Sequence, residues 1–207
     1  MLSKAGPQRG ISLIEAMVVV VIMAFILAMA APNFSAWIAG SRVRATAESL
    51  LAGLQYARSE ATTRNSLVRF QLTTSVDASC ARSNSGTSWV VDVVDASDDS
   101  VAGRCNTAPS DTVAPSILQV RAATEAGDRV QVNANSDQVV FNGFGRQSPV
   151  APSTSAANIN IDIAPTGPNG QCAAAGGKVT CLRVVVSTAG QVRMCNPNVA
   201  AGDPQAC

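Results

Sequence analysis

The sequence predicts an α+β protein: one long N-terminal helix, apolar along its first half, followed by a β-rich domain. Residues 11–31 form an almost unbroken apolar run, and residues 34–57 continue it with apolar side chains at helical spacing. From residue 66 onward, short segments rich in Val and Ile alternate with Ser-, Asp-, Pro- and Gly-rich stretches, the pattern of strands joined by polar loops.

The first element is short and basic. Residues 1–10 contain Lys4 and Arg9 and read as a leader. The apolar run at 11–31 is long enough, as a helix, to cross the roughly 30 Å core of a bilayer. The basic residues before it place the leader on the cytoplasmic side and the rest of the chain outside. A plain membrane anchor is one reading. A secretory signal peptide is another, since Ala28-Met29-Ala30 offers an A-x-A cleavage pattern, although its apolar region is usually shorter. Neither gives a role to Glu15, a carboxylate in the apolar run that costs about 2.5–3.5 kcal/mol at mid-membrane on insertion scales.

Pro32 and Asn33 interrupt the apolar run; a proline there removes a helix hydrogen bond and bends the axis without ending the helix. Beyond it, Phe34, Trp37, Ile38, Ala47, Leu50, Leu51, Leu54 and Ala57 form an apolar stripe, with Arg42, Arg44, Glu48, Arg58 and Glu60 largely elsewhere. Residues 32–65 are thus the amphipathic half of the same helix, packed on a sheet and ending near residues 63–65.

Residues 66–207 are the β-rich domain. Strands are predicted at 67–73, 88–94, 117–122, 129–133, 138–142, 158–163, 181–187 and 191–194. Ser187-Thr188-Ala189-Gly190 is a hairpin turn between the last two, and Gly143-Phe144-Gly145 is a turn rather than a nucleotide loop. Residues 95–111, 148–157 and 165–177 read as surface loops able to carry partner contacts.

The chain has 47% apolar residues but only 4% aromatic and 14% charged ones, so its core rests on Val, Ile, Leu and Ala. The net charge of +1 falls to about −1 once Lys4 and Arg9 leave with the leader. Bulk attraction to nucleic acid is not indicated. There is no histidine, which excludes Ser-His-Asp and Cys-His catalysis, and no constellation points to an enzyme or a cofactor. Six cysteines, Cys80, Cys105, Cys172, Cys181, Cys195 and Cys207, lie beyond the export-type N-terminus and read as disulfides in an oxidising compartment. Many pairings are open; short loops favour Cys80 with Cys105, Cys172 with Cys181, and Cys195 with Cys207. No CxxC pair exists, so no metal site is expected. Asp92, Asp95, Asp98 and Asp99 lack the glycine and terminal glutamate of a calcium loop and read as a solvated acidic loop.

Residues 9–34, RGISLIEAMVVVVIMAFILAMAAPNF, resemble the class III signal of type IV pilins and type II secretion pseudopilins. In that pattern the leader ends in Gly, the cut follows it, and Glu is fifth in the mature chain. Gly10, Ile11 and Glu15 occupy these positions, although the family usually has Phe or Met, then Thr, where Ile11 and Ser12 stand. The resemblance implies cleavage between Gly10 and Ile11 by a prepilin peptidase, N-methylation of Ile11, and pairing of Glu15 with the new amine of a neighbouring subunit during assembly. Ala47-Glu48-Ser49-Leu50, Ala57-Arg58-Ser59-Glu60-Ala61, Arg64-Asn65, FNGFGR at 141–146 and the segment from Leu182 to Cys207 are similar to the GspH/FimT branch.

The branch implies a pilin-like fold, its long helix packed on two antiparallel sheets. It also implies a minor pilin that primes or caps a type IV pilus, or else a type II secretion pseudopilin. Its partners would be other pilin subunits and an inner-membrane assembly platform. Before assembly the chain would be single-pass in the inner membrane of a bacterium, its C-terminal domain in the periplasm. Some members bind DNA through a C-terminal Gly-Arg-x-Arg pattern. Here the stretch is Gly190-Gln191-Val192-Arg193, with glutamine for the first arginine, which leaves Arg146, Arg183 and Arg193 as candidate DNA contacts.

Overall fold

A computed structural model of the chain describes residues 10–94, 101–123, 129–150, 153–167 and 170–207, with the backbone alone at 30–33. Helix α1 runs unbroken from Leu13 to Arg64, 52 residues and about 78 Å long. Ser12 caps its start, its hydroxyl accepting from the Glu15 N–H at 3.3 Å. Glu15 in the first turn and Arg64 in the last both suit the helix dipole. Asn65 ends the helix in a left-handed conformation, φ 49°, with its N–H bonded to the Ala61 carbonyl.

The two halves of α1 meet different surroundings. Ala36, Val43, Ala47, Leu50, Leu54, Ala57 and Ala61 are buried, one stripe at helical spacing. Phe34 and Trp37, expected in that stripe, lie outside it: their rings stack on each other at 6.0 Å, and Trp37 remains 69% exposed. Position 36, not 37, faces the domain. The apolar residues from Leu13 to Met29 pack on no part of the domain.

Two antiparallel sheets cradle the second half of the helix. The first has strand order β3-β2-β1-β5-β6, with β1 at Val68–Thr73, β2 at Ser88–Val93, β3 at Ile117–Arg121, β5 at Gln138–Phe141 and β6 at Gln147–Ser148. The second has order β4-β7-β8-β9, with β4 at Val130–Ala134, β7 at Ile159–Pro165, β8 at Leu182–Val186 and β9 at Val192–Cys195. In β4 and β7 every second residue is buried, the alternation of a sheet packed on one face. Val68, Phe70, Leu72 and Phe141 of the first sheet meet Val132, Ile161, Ile163, Val184 and Val186 of the second in one core around α1. Gly53 lets the helix approach closely: a Cβ there would lie 2.8 Å from Phe70 and 2.9 Å from Trp89. Trp89 donates its indole N–H to Ser49 Oγ at 3.1 Å.

Strand β1 is buried on both faces. Its outward residues Arg69 and Gln71 converge on Asp92, which stands opposite Arg69 in β2. Arg69 donates to the Asp92 carboxylate at 2.6 Å and Gln71 donates at 2.7 Å. Asp92 is fully buried, so it does not belong to a solvated acidic loop; strand pairing carries it inside, where arginine compensates its charge. Asp95, Asp98 and Asp99 lie outside the described residues. Beside this pair, a second cluster joins Val90 and Ile117 to Cys80, Val101 and Cys105. Residues 101 and 105, expected in a surface loop, are therefore core, held there by the Cys80–Cys105 disulfide.

Arg64 ties the helix end to the loop before β3, bonding Glu60 at 2.8 Å and Asp111 at 3.0 Å. The hydrogen bond from Arg64 lowers the Asp111 pKa. A carboxyl lowered on folding contributes stability above its unfolded value and loses it as pH falls through the folded one. The unfolding midpoints of wild type and Asp111→Asn are therefore expected to differ at neutral pH and to converge below pH about 4. A gap that persists in strong acid would show that the substitution acts by another route.

Candidate functional site

The first candidate site is the start of α1. Gly10 and Ile11 are exposed and precede the helix, with open space around the Gly10 backbone. Glu15 stands in the first turn, exposed, and forms no ion pair among the described residues. After it come Met17, Val18, Val19, Val20, Val21 and Ile22, all exposed. The helix is long and apolar enough to cross a membrane, and its most apolar stretch is not buried within the chain. Such a surface left in water would be unfavourable by about 25 cal/mol for each Å². Among the described residues its polar side chains are the Ser12 hydroxyl, which caps the helix, and the Glu15 carboxylate, set beside a large apolar area.

The second candidate site is the outer face of β8 and β9. Arg183 stands opposite Cys195, and Arg193 stands opposite Val185 two residues further along β8. The structure thus brings Arg183 and Arg193 to one face. Both have partners. Arg183 forms a two-pronged bond with Asp162 of β7, at 2.7 and 3.0 Å, which raises its pKa further. Arg193 donates to the Ala206 carbonyl at 3.3 Å and to that of Cys207. Arg146 is exposed in the turn after β5. That turn lies against the β8–β9 hairpin, because Gly190, at φ 83°, sits directly on the Gly145 carbonyl where any Cβ would collide. Arg58 donates to the same carbonyl at 3.0 Å.

Three disulfides bind the domain: Cys80–Cys105, Cys172–Cys181 and Cys195–Cys207. The last folds the tail back along β9, where the Asn196 N–H donates to Gln205 at 2.7 Å. Among the described residues no group of three His, Cys, Asp or Glu is placed to hold a metal ion. Residue spacing could not reveal Asp162 as the partner of Arg183, since 21 residues separate them. The available signal was that each occupies an outward position in its strand.

A helix long and apolar enough to cross a membrane, its second half cradled by two antiparallel sheets, is a pilin-like architecture. A profile described as "Type II transport protein GspH" matches residues 46–197, and one for the prokaryotic N-terminal methylation motif matches residues 6–31. The chain belongs to the GspH family, within the type IV pilin and pseudopilin superfamily. The methylation motif and the apolar helix mark a membrane-anchored member.

Two crystal forms of the type IV minor pilin FimU from Pseudomonas aeruginosa strain PAO1 are similar in structure. The P21 form is 20% identical, with 81% of this chain and 96% of that one covered and a TM-score of 0.49. The P65 form is 19% identical, with 79% and 98% covered and a TM-score of 0.45. No curated protein matches the sequence.

Proposed function

We propose that this chain is a minor pilin, cut between Gly10 and Ile11 by a prepilin peptidase and packed through α1 into a type IV pilus, where it primes or caps the filament. The supporting observation is the apolar half of α1, exposed from Ile11 to Met29 and carrying a Glu15 that forms no ion pair among the described residues. Lipid covers that surface before assembly; neighbouring helices cover it afterwards. Cleavage creates an amine at Ile11, which is then methylated, and the amine of one subunit compensates Glu15 of the next. Pairing of this kind is selective for register, because either charge alone would be buried without compensation. The inner-membrane platform supplies the subunits, and the domain faces the periplasm until extraction.

The test is a Glu15→Ala chain expressed beside wild type. Its amount in sheared surface filaments is expected to fall by more than about tenfold while its membrane pool is unchanged. Equal recovery from filaments would remove the role of Glu15. N-terminal sequencing should give Ile11 first; a product beginning at Ala31 would overturn the whole reading.

A second reading, a type II secretion pseudopilin, is supported by the description of the matching family. Deletion separates the two: loss of surface pili supports the first, and loss of secreted enzymes with normal piliation supports the second. DNA contact by Arg146, Arg183 and Arg193 has less support, because Asp162 compensates Arg183 and the tail carbonyls occupy Arg193.

A further inference from the structure

Phe34 and Trp37 stack on each other at 6.0 Å, yet Phe34 is 61% and Trp37 69% exposed. Single exposed apolar residues are ordinary, but this pair shares its helix with the exposed apolar surface that runs from Leu13 to Met29. The domain does not cover it. Burial of α1 begins at Ala36 and continues through Val43 and Ala47. At about 100° per residue, Trp37 stands about 100° and Phe34 about 160° around the helix from Ala36, so both rings lie off the buried stripe. The Trp37 indole N–H forms no hydrogen bond among the described residues.

Helical rise gives the pair a definite height in a bilayer. No charged residue lies between Glu15 and Arg42. A carboxylate is most costly at the bilayer centre, so the span seats with Glu15 near one edge of the hydrocarbon core. From Glu15 the rise is about 28 Å to Phe34 and about 33 Å to Trp37. The core is about 30 Å thick, and roughly 40–45 Å with its headgroup layers. The pair therefore brackets the opposite edge of the core, the layer where aromatic side chains concentrate. Helical side chains lean toward the N-terminus, which turns both rings back toward the acyl chains. Arg42, the next charge, is about 40 Å from Glu15 and clear of the core.

We infer that Phe34 and Trp37 bind the glycerol and carbonyl layer of a phospholipid bilayer, in the leaflet on the domain's side, an inference that rests on the membrane-anchored class of the chain. The rings lie against the upper acyl chains, and the Trp37 indole N–H donates to lipid carbonyl oxygens. Because burial of α1 begins at Ala36, the same anchor holds the base of the domain at the bilayer surface. Extraction into a filament withdraws both rings from lipid.

The test uses the full chain in phosphatidylcholine vesicles and reads tryptophan fluorescence. The chain has two tryptophans and Trp89 is only 3% exposed, so the signal lost in Trp37→Phe belongs to Trp37. Unchanged emission from Trp89 shows that the variant is folded. Lipids brominated near the carbonyl end of their acyl chains are expected to quench the Trp37 signal about threefold more than lipids brominated near the terminal methyls. No quenching by either lipid, with free access for aqueous acrylamide, would place the pair in water and overturn the inference. Stronger quenching from the methyl end would overturn it too, by placing the pair inside the core. Quenching that appears only when the chain is diluted in lipid would assign the pair to a second copy instead. Failure of the chain to float with the vesicles would sink the membrane-anchored reading itself, a result distinct from flotation without quenching.

Discussion

Asp92→Ala is expected to destabilise the domain by about 3–5 kcal/mol, the usual result of removing one partner from a buried ion pair. Asp92 has no exposed surface and Arg69 is only 6% exposed, so the buried guanidinium would lose the carboxylate it donates to. Gln71 would lose its acceptor in the same step. Denaturant unfolding followed by fluorescence of the buried Trp89 measures the effect. Arg69→Met/Asp92→Leu, which removes both charges while keeping volume, should recover most of the loss. A loss below about 1 kcal/mol for the single change would mean that water reaches the pair.

The second large effect concerns Cys80–Cys105. Replacing both by serine should cost about 3 kcal/mol through the loop of 25 residues that the bridge closes. Packing adds to this, because the bridge forms part of the small cluster with Val90, Val101 and Ile117, which lies apart from α1. The Cys172→Ser/Cys181→Ser pair is the comparison. Its loop is only 9 residues and its short helical turn at Ala173–Ala175 has no buried residue, so a smaller loss is expected. Equal losses would mean that the second cluster adds nothing to the bridge.

Much of this architecture was legible in the residues because local period carries it. The helix was readable from the apolar run and the stripe through Ala57, and eight strands from their Val- and Ile-rich segments. Strand β6 was not, since two residues show no alternation. Neither was the division of strands between sheets from residue patterns alone: β4 lies between β3 and β5 in sequence yet joins the other sheet, and only non-local pairing decides that. Trp37 looked like core by spacing, but an apolar residue at the edge of a stripe can point either way. In the candidate sites, Gly10, Ile11 and Glu15 were visible because their motif is contiguous. The partners of Arg69, Arg183 and Arg193 were not, because each lies more than ten residues away in sequence and is brought near only by strand pairing or by the tail.

The order of strands in the first sheet sets a timetable for the newborn chain. Strand β1 is central, yet its second neighbour, β5, begins at Gln138, long after β2 has arrived. Between them the polypeptide must leave to lay down β4 elsewhere. Until Phe141 is delivered, one edge of β1, at Val68, Arg69, Phe70 and Gln71, stays open to any passing strand, a hazard for aggregation. The meander β7-β8-β9 needs no such delay. In a domain emerging N-terminal end first, that edge of β1 therefore has no partner strand until β5 has been made.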